Sequence, residues 1–222
     1  MPIKSAEIAI IDYGVGNLRS VQKAFAAMGH EAVVTDDPGV IRDAQRVVLP
    51  GVGAFGAAID TLRATHLETV ALNAAGSGRP FLGICVGMQL LFTEGEEMGL
   101  HRGLNLIPGR VLRFDEKNLG AAAHGVKVPQ IGWNALTFTE NGLRSGLFAG
   151  LEDKAMVYFV HSYFCAPHDE KAAATTTDFI ARYCSAVARG NIYGVQFHPE
   201  KSGGVGLRIL DNFARLPVRA TT

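Results

Sequence analysis

A single cysteine between two glycines is the first group in this sequence that could do chemistry. In the stretch FLGICVGMQLLF, residues 81–92, Gly83 precedes Cys85 by two residues and Gly87 follows it by two. The apolar run before the cysteine predicts a strand, and the apolar spacing after it predicts a helix. Strand, sharp turn and helix make a nucleophile elbow, where glycines allow close backbone approach and the helix N-terminus favours a thiolate. A buried structural cysteine is the alternative, but it would need neither glycine.

The segment GVQFHPEKS, residues 194–202, supplies the other groups that a cysteine nucleophile requires. Residues two apart in an extended segment lie on the same side, so His198 and Glu200 can lie together, and Pro199 restricts the backbone between them. Glu200 would orient the imidazole, and the other ring nitrogen would face Cys85 as a base. A capped loop histidine is the alternative for His198 taken by itself. We expect the remaining histidines, which lack such a neighbour, to be solvated or structural: His30, His66, His101, His124, His161 and His168.

A glycine-rich loop, LPGVGAFG at residues 49–56, lies between a predicted strand and a predicted helix. A phosphate cradle is not favoured, because no lysine follows at the position that such loops use. The loop, which contains Gly51, Val52 and Gly53, could instead turn a backbone N–H toward a developing oxyanion. The N–H of Val86, the residue after the cysteine, would be the second donor.

A second glycine motif, IIDYGVGNLRS at residues 10–20, resembles a dinucleotide-binding turn. Asp36 lies about 20 residues further on, where such sites carry an acidic residue. Arg19 occupies the place of the third glycine, where a long side chain obstructs close helix packing. We therefore expect no nucleotide cofactor, and the sequence gives no reason to expect a metal.

Composition limits the class of protein. The chain has 222 residues, 48% of them hydrophobic, so it can bury a full core, and residues 1–222 are expected to form one domain. Its 21 basic and 21 acidic residues cancel, which gives no reason to expect nucleic acid or an anionic membrane as partner. No apolar run has the length of a membrane span, and no signal peptide is recognised at the N-terminus. Three cysteines do not make a disulfide framework, so a cytoplasmic protein with reduced thiols is expected.

The elements that must position these groups alternate in the first half of the chain. Apolar segments predict strands at 7–12, 30–35, 46–50 and 79–84. Leu18, Val21, Phe25 and Met28 form one face of a helix, and further helices are predicted over 54–64 and 67–76. This alternation predicts an α/β fold with a mostly parallel central sheet flanked by helices.

From about residue 110 the predicted strands follow one another with little helix between them, until a closing helix from Val205 to Phe213. We expect an antiparallel or mixed extension of the same sheet. The strand-like pieces are RVLRF, KVPQIGWNALTF, AMVYFVHSYF, AAATTT, FIARYC and NIYGVQF.

The elbow, the glycine loop and the HPE motif together resemble the triad (class I) glutamine amidotransferases. A longer set of motifs, in order from residue 10 to residue 202, resembles the glutaminase subunits of imidazole glycerol phosphate synthase. These motifs are IDYGVGNLRSV, PGVGAFG, GICVGMQLLF, GLNLIPGRV, PQIGWN, YFVHSYF and GVQFHPEKS. The related glutaminase of pyridoxal phosphate synthase usually has a GGES-type loop where this chain has PGVG.

The resemblance implies a substrate, a partner and further site residues. The substrate would be L-glutamine, and a separate (β/α)8-barrel cyclase would receive the ammonia for histidine biosynthesis. The resemblance carries glutamine contacts over to Gln89, Glu97, Ser162 and Tyr163, although Glu94 and Glu96 compete with Glu97 for the alignment. It carries residues near the cyclase over to Asn17, Trp133, Tyr158 and Lys201. Trp133 could equally be a core residue, and the segment 116–127 is longer than the family pattern requires.

Two other functions remain open on the sequence. A stand-alone cysteine hydrolase of the same fold would act on a peptide or γ-glutamyl bond without a partner. A docking or regulatory subunit could have kept the fold without the activity, but intact Cys85, His198 and Glu200 speak against it.

Overall fold

A large mixed sheet positions the residues discussed above. The computed structural model describes residues 6–218, and within that range twelve strands form one sheet while two more pair separately. The strands are β1 (Ile8–Ile11), β2 (Ala32–Thr35), β3 (Arg46–Gly51), β4 (Phe81–Cys85), β5 (Phe92–Gly95), β6 (His101–Arg102), β7 (Ile107–Arg113), β8 (Gln130–Ala135), β9 (Thr137–Phe138), β10 (Met156–His161), β11 (Tyr163–Pro167), β12 (Ala173–Asp178), β13 (Arg182–Arg189) and β14 (Ile192–Val195).

Helices cover this sheet and connect its strands. They are α1 (Leu18–Ala27), α2 (Pro38–Asp43), α3 (Phe55–Ala64), α4 (Leu67–Gly76), α5 (Val86–Leu90), α6 (Glu116–Leu119), α7 (Glu140–Arg144) and α8 (Gly203–Arg215). Short 3-10 helices occupy Gly120–Ala123, Glu170–Ala172 and Pro199–Lys201. The helices predicted over 54–64 and 67–76 are confirmed as α3 and α4, and the closing helix is confirmed as α8.

The parallel half of the sheet carries the nucleophile elbow. Its strands run in the order β2-β1-β3-β4-β14, and every neighbouring pair is parallel. All residues of β3 and β4 are buried, as expected for parallel strands that are covered on both faces. Because Cys85 ends β4 and Gly51 ends β3 in register with it, the elbow and the glycine loop meet at the carboxyl edge. Ligands of open α/β sheets bind at this edge.

The other half of the sheet is mixed, which confirms the predicted extension. From β14 the order continues β13-β11-β7-β5-β6, with antiparallel pairs except for β5 beside β7. Strand β12 pairs with β13 and also with β9. An aromatic cluster lies in this half of the molecule, where the ring of Phe114 contacts the rings of His161, Phe164, Phe179 and Tyr183.

Two predicted strands do not join the main sheet. Strands β8 and β10 form their own antiparallel pair, in which Trp133 lies opposite Tyr158 and Ile131 opposite Val160. Ile131, Trp133 and Met156 are exposed, so this face of the pair is not covered by the core. The expectation that every strand-like piece extends one sheet was therefore wrong for these two strands.

The helix after the elbow is shorter than its apolar spacing predicts. Helix α5 covers only Val86–Leu90, and the chain then enters β5 at Phe92. Leu90, Leu91 and Phe92 are all fully buried. These residues are therefore apolar because they pack in the core on both sides of the turn, and not because the helix continues through them. None of the helices within residues 6–218 is both long enough and apolar enough to cross a bilayer.

Candidate active site

The turn at Cys85 has an unusual backbone conformation that the neighbouring glycines make possible. Cys85 has φ 56° and ψ −114°, a region that residues with a side chain rarely adopt. A Cβ atom on Gly83 would lie 2.6 Å from the carbonyl oxygen of Gly87, and one on Gly87 would collide with the carbonyl oxygen of Leu49. The close approach that the two glycines predicted is confirmed. Because helix α5 is a little over one turn long, its effect on the sulfur comes from the first N–H groups.

His198 and Glu200 lie together beside this elbow. The Nδ1 atom of His198 is 2.9 Å from Oε1 of Glu200, and both side chains are almost completely buried. Their contact does not arise from extended backbone, since Pro199–Lys201 form a 3-10 helix that folds Glu200 back toward the ring. The backbone N–H of His198 donates to the carbonyl oxygen of Tyr158. The sequence therefore predicted the right pair for a partly wrong geometric reason.

The pKa of His198 reflects its contacts on both sides. Burial lowers this pKa, but hydrogen bonds to the Cys85 and Glu200 side chains, and their negative charges, raise it overall to about 10. The ring is therefore protonated at neutral pH, with one nitrogen on Glu200 and the other toward Cys85. A protonated imidazole in this position can give its proton to a leaving group.

A cavity of about 340 Å³ opens in front of Cys85. Eight predicted site residues line it: Val52, Gly53, Cys85, Val86, Gln89, Glu97, Ser162 and Tyr163. Gly51, His198 and Glu200 are not among the lining residues. A larger cavity of about 520 Å³ lies between α2 and α4, but it contains none of the predicted site residues. We therefore assign the site by its chemistry and not by its volume.

Of three neighbouring glutamates, Glu97 is the one that reaches this cavity. Its Oε2 atom accepts a hydrogen bond of 2.7 Å from the backbone N–H of Phe55, the first residue of α3. Glu94 is instead paired with Arg110 at 2.9 Å, and Glu96 with Lys117 at 2.9 Å. Glu97 stays the predicted glutamine contact, and the other two carboxylates are paired with cations outside the cavity. The bond from Lys117 also anchors the long segment 116–127 beside the site.

The glycine loop is held close to the elbow. A Cβ atom on Gly51 would lie 2.7 Å from the backbone nitrogen of Gly87 and 2.9 Å from the hydroxyl oxygen of Tyr13. The Tyr13 hydroxyl donates to the carbonyl oxygen of Pro50 at 2.9 Å, and burial and the charge of Cys85 raise the pKa of Tyr13. Gly53 has a φ of +87°. The carbonyl oxygen at the start of the loop is thus fixed by a neutral tyrosine, while Val52 and Gly53 reach the cavity.

Comparison with known proteins places this architecture in a family. The model of the family described as glutamine amidotransferase class-I matches residues 9–216. The chain belongs to the class-I glutamine amidotransferases. It is 53% identical over 209 residues to the imidazole glycerol phosphate synthase subunit HisH of Geobacter metallireducens, covering 94% of this chain and 98% of that protein. It is 52% identical over 208 residues to subunit HisH of Syntrophotalea carbinolica, covering 93% and 98%.

Solved structures agree on the amidotransferase fold at much lower sequence identity. The structure of PurLQS from Thermotoga maritima superposes with a TM-score of 0.71 at 18% identity, covering 95% of this chain and 98% of that chain. A crystal structure of a glutamine amidotransferase gives a TM-score of 0.69 at 16% identity, covering 94% and 99%. The predicted fold class is confirmed.

Several residues at the amidotransferase site were not predicted from the sequence: Tyr13, Pro129, Val160, His161 and Gln196. Burial and the charge of His198 lower the pKa of His161 to about 4, although the hydrogen bond to the Tyr163 carbonyl oxygen by itself would raise it. His161 is therefore a neutral imidazole in the cavity wall.

Gln196 is fully buried next to Cys85. The period of two in GVQFH, which places residues 196 and 198 on the same side, is the signal that could have found it.

The residues expected near a partner lie around Glu200 and on the separate strand pair. The Nδ2 atom of Asn17 donates to Oε1 of Glu200 at 3.4 Å. The rings of Trp133 and Tyr158 meet edge to face with centroids 6.1 Å apart. Trp133 is 49% exposed, so it is not a core residue. Lys201, directly after Glu200, is exposed.

The other two cysteines of the amidotransferase are distinct from Cys85. Cys165 and Cys184 lie opposite each other on β11 and β13, and both are free and buried. Burial raises the pKa of Cys165 well above its usual value and that of Cys184 to about 12. Both groups therefore stay as thiols, which are poor nucleophiles. Within residues 6–218, no three acidic, histidine or cysteine side chains converge as a metal site would require.

Proposed function

We propose that this chain hydrolyses L-glutamine to glutamate and ammonia and delivers the ammonia to a cyclase partner that makes imidazole glycerol phosphate in histidine biosynthesis. The observation that carries the proposal is the strained Cys85, in contact with a buried His198–Glu200 pair and facing a cavity that Gln89, Glu97 and Ser162 help to line. Relatives that share about half of its residues over nearly the whole chain are named as subunits of imidazole glycerol phosphate synthase, which supports the same substrate and partner.

The reaction would use Cys85, His198 and Glu200 as a triad. The Cys85 sulfur attacks the side-chain amide carbon of glutamine, and a carbon–sulfur bond forms. As the carbon–nitrogen bond breaks, its electron pair leaves with the amide nitrogen, which takes a proton from His198 and departs as ammonia. Neutral His198 then removes a proton from water, which attacks the thioester. The carbon–sulfur bond breaks and releases glutamate, while Glu200 keeps the imidazole oriented throughout.

Substrate binding would fall to the groups that line the cavity. Glu97 supplies a carboxylate that attracts the ammonium group of glutamine, and Gln89 and the Ser162–Tyr163 segment supply hydrogen-bonding groups. The oxyanion of each tetrahedral intermediate would be held by the N–H of Val86 and by an N–H of the Gly51–Gly53 loop. Loss of one such donor lowers the rate by about 10²–10³, so a rotation of the Gly51–Val52 peptide is a physical route for switching the enzyme.

The separate strand pair is the surface that we assign to the cyclase. Its exposed apolar residues Ile131, Trp133 and Met156 lie together on one face with Tyr158, and such patches mark sites of protein association. Val160 on the same strand lines the glutamine cavity, which makes this face continuous with the site. Lys201 would pair with an acidic group of the cyclase. The two chains would form a heterodimer, and the lyase step that closes the imidazole ring would take place on the partner.

Residues 1–222 would act as one glutamine amidotransferase domain without a cofactor. The main sheet supports this view, because it contains both β4, which ends at Cys85, and β14, which leads to His198, from the two halves of the chain. The free state of Cys85, Cys165 and Cys184 is consistent with a reducing compartment, which favours the cytoplasm.

Ammonia release from glutamine tests this function. We expect weak release from the isolated chain and strong stimulation by the cyclase with its ligand bound. Lys201→Ala should reduce this stimulation, whereas Lys171→Ala, at another exposed position, should not.

A glutamine-analogue electrophile should label Cys85 and neither Cys165 nor Cys184. Full activity without the cyclase would contradict the coupling and favour a stand-alone hydrolase, and undiminished labelling of Cys85→Ala would contradict the nucleophile.

A further inference from the structure

Gln196 is a buried amide that contacts both the nucleophile and a residue of the glutamine cavity. It follows β14, whose parallel register with β4 pairs Val195 with Ile84 and so places Gln196 beside Cys85. Its backbone N–H donates to the carbonyl oxygen of Ser185 at 2.9 Å, which ties it to β13 as well. The side chain is fully buried. Two strands therefore fix the position of this amide.

The hydrogen bonds of Gln89 determine which end of the Gln196 amide faces the sulfur. The Gln89 side chain lies 3.3 Å from the carbonyl oxygen of Tyr163, and a carbonyl oxygen only accepts, so the Nε2 group of Gln89 faces it. The same nitrogen donates to Oε1 of Gln196 at 3.2 Å. The Nε2 group of Gln196 consequently points the other way, toward the Cys85 sulfur at 3.8 Å. Cys165 contacts the oxygen end at 4.0 Å.

A donor in this position acts on the charge of the sulfur. A thiol sulfur is a weak acceptor, whereas a thiolate accepts a hydrogen bond well, so the N–H favours the charged form. The sulfur is charged before it attacks the amide and again when the carbon–sulfur bond of the thioester breaks and the electron pair returns to it. Between these moments the thioester sulfur is neutral and the hydrogen bond is weak.

We propose that Gln196 is a positioning residue for the nucleophile: its amide N–H orients the Cys85 sulfur and stabilises the thiolate, while its amide oxygen is held by Gln89 in the glutamine cavity. This role rests on the proposed function, because it requires Cys85 to be the nucleophile. Hydrogen bonds thus link the cavity wall to the sulfur: Gln89 donates to the Tyr163 carbonyl oxygen and to Gln196, and Gln196 donates to Cys85.

The test is the pH dependence of Cys85 alkylation by iodoacetamide, followed on the complete chain by mass spectrometry. Gln196→Met keeps the length and burial of the side chain but removes the donor. Because a hydrogen bond to a charged group changes an equilibrium by about tenfold or more, we expect the midpoint pH of alkylation to rise by about one unit. The rate at high pH, where all of the sulfur is ionised, should be unchanged. Cys165→Ala, which removes a contact at the oxygen end of the amide, is the matched control and should leave the midpoint pH unchanged.

Turnover with the cyclase gives a second readout. For Gln196→Met we expect kcat to fall by about tenfold with KM within about twofold, since the donor acts on the sulfur and Gln89 keeps its hydrogen bond to the Tyr163 carbonyl oxygen. If the methionine variant does not fold, Gln196→Asn, which withdraws the amide from the sulfur by one methylene, should show the same shift. A lower melting temperature with an unmoved midpoint would overturn the role of Gln196 alone. A wild-type chain in which the glutamine analogue does not label Cys85 would overturn the proposed function.

Discussion

Side chains at the elbow differ in what they contribute to the reaction, and substitutions should rank them. Cys85→Ala removes the atom that forms the thioester, and His198→Ala removes the proton donor and acceptor, so each should abolish nearly all glutaminase activity. Glu200→Gln keeps the hydrogen bond but not the charge, and we expect a smaller loss of about 10²–10⁴ in kcat. Ammonia release by the complex measures all three. Wild-type turnover in Glu200→Gln would show that this carboxylate is not the third member of the triad.

Because His161 is buried, we expect the free energy of unfolding to depend on pH in the acidic range. Its pKa in the folded chain is about 4, below the 6.5 of an unperturbed histidine, chiefly because it is buried. The unfolded chain therefore binds a proton that the folded chain does not, and stability falls as the pH drops from 6.5 toward 4. The difference of about 2.5 units corresponds to up to about 3 kcal/mol.

Urea unfolding of wild type and of His161→Gln isolates this contribution of His161. Between pH 7 and pH 4.5 the wild-type free energy of unfolding should fall more steeply than that of the variant, because only the wild type carries the titrating ring. Parallel curves would mean that His161 takes up its proton without loss of stability, which would contradict its burial as a neutral group.

At the scale of elements, the strand–turn–helix unit depends on the absence of a Cβ atom at position 87. Gly87→Ala would place that atom against the carbonyl oxygen of Leu49 on the adjacent strand. Since backbone cannot withdraw as a flexible side chain can, we expect a loss of about 3 kcal/mol or more and loss of glutaminase activity. Gly204, in helix α8, is the matched control, because nothing lies near the position of its Cβ atom.

Thermal unfolding compares the two glycine substitutions directly. Gly204→Ala should leave the melting temperature unchanged or raise it slightly, since alanine is better than glycine by about 0.5–1 kcal/mol inside a helix. Equal melting temperatures for the two alanine variants would show that the elbow accommodates a side chain, and the close approach of strand and turn would then not constrain the sequence.

The whole molecule is expected to work as half of a complex, and Trp133 provides the test. Trp133 is 49% exposed on the separate strand pair, so Trp133→Ala should barely change the stability of the isolated chain. Large aromatic residues dominate binding energy at interfaces, so we expect the Kd for the cyclase to rise about tenfold or more. Leu143→Ala, which removes another exposed apolar side chain on α7, is the control and should leave the Kd unchanged. Titration calorimetry measures both, and equal affinities would place the interface elsewhere.

Much of the fold and part of the site follow from local patterns in the sequence. The apolar runs of β1, β3 and β4 and the periodicity of α1, α3, α4 and α8 depend on short stretches of chain, which is why their positions could be predicted. Gly83 and Gly87 signalled a close backbone approach for the same reason. The HPE motif paired His198 with Glu200 because the two residues are near neighbours in the chain, whatever the backbone between them does.

Tertiary structure decided what depends on residues distant in sequence. Only packing selects Glu97 over Glu94 and Glu96, since each carboxylate is paired by a group from a different part of the chain. Strands β8 and β10 stay apart from the main sheet, and Trp133 is exposed, because of which sheet edges the other strands occupy. That arrangement cannot be predicted from a local sequence pattern. Gln196 comes beside Cys85 through strand register, across 111 residues of sequence. A sequence determines local geometry through its own neighbours, whereas the environment of each buried polar group is set by the whole fold.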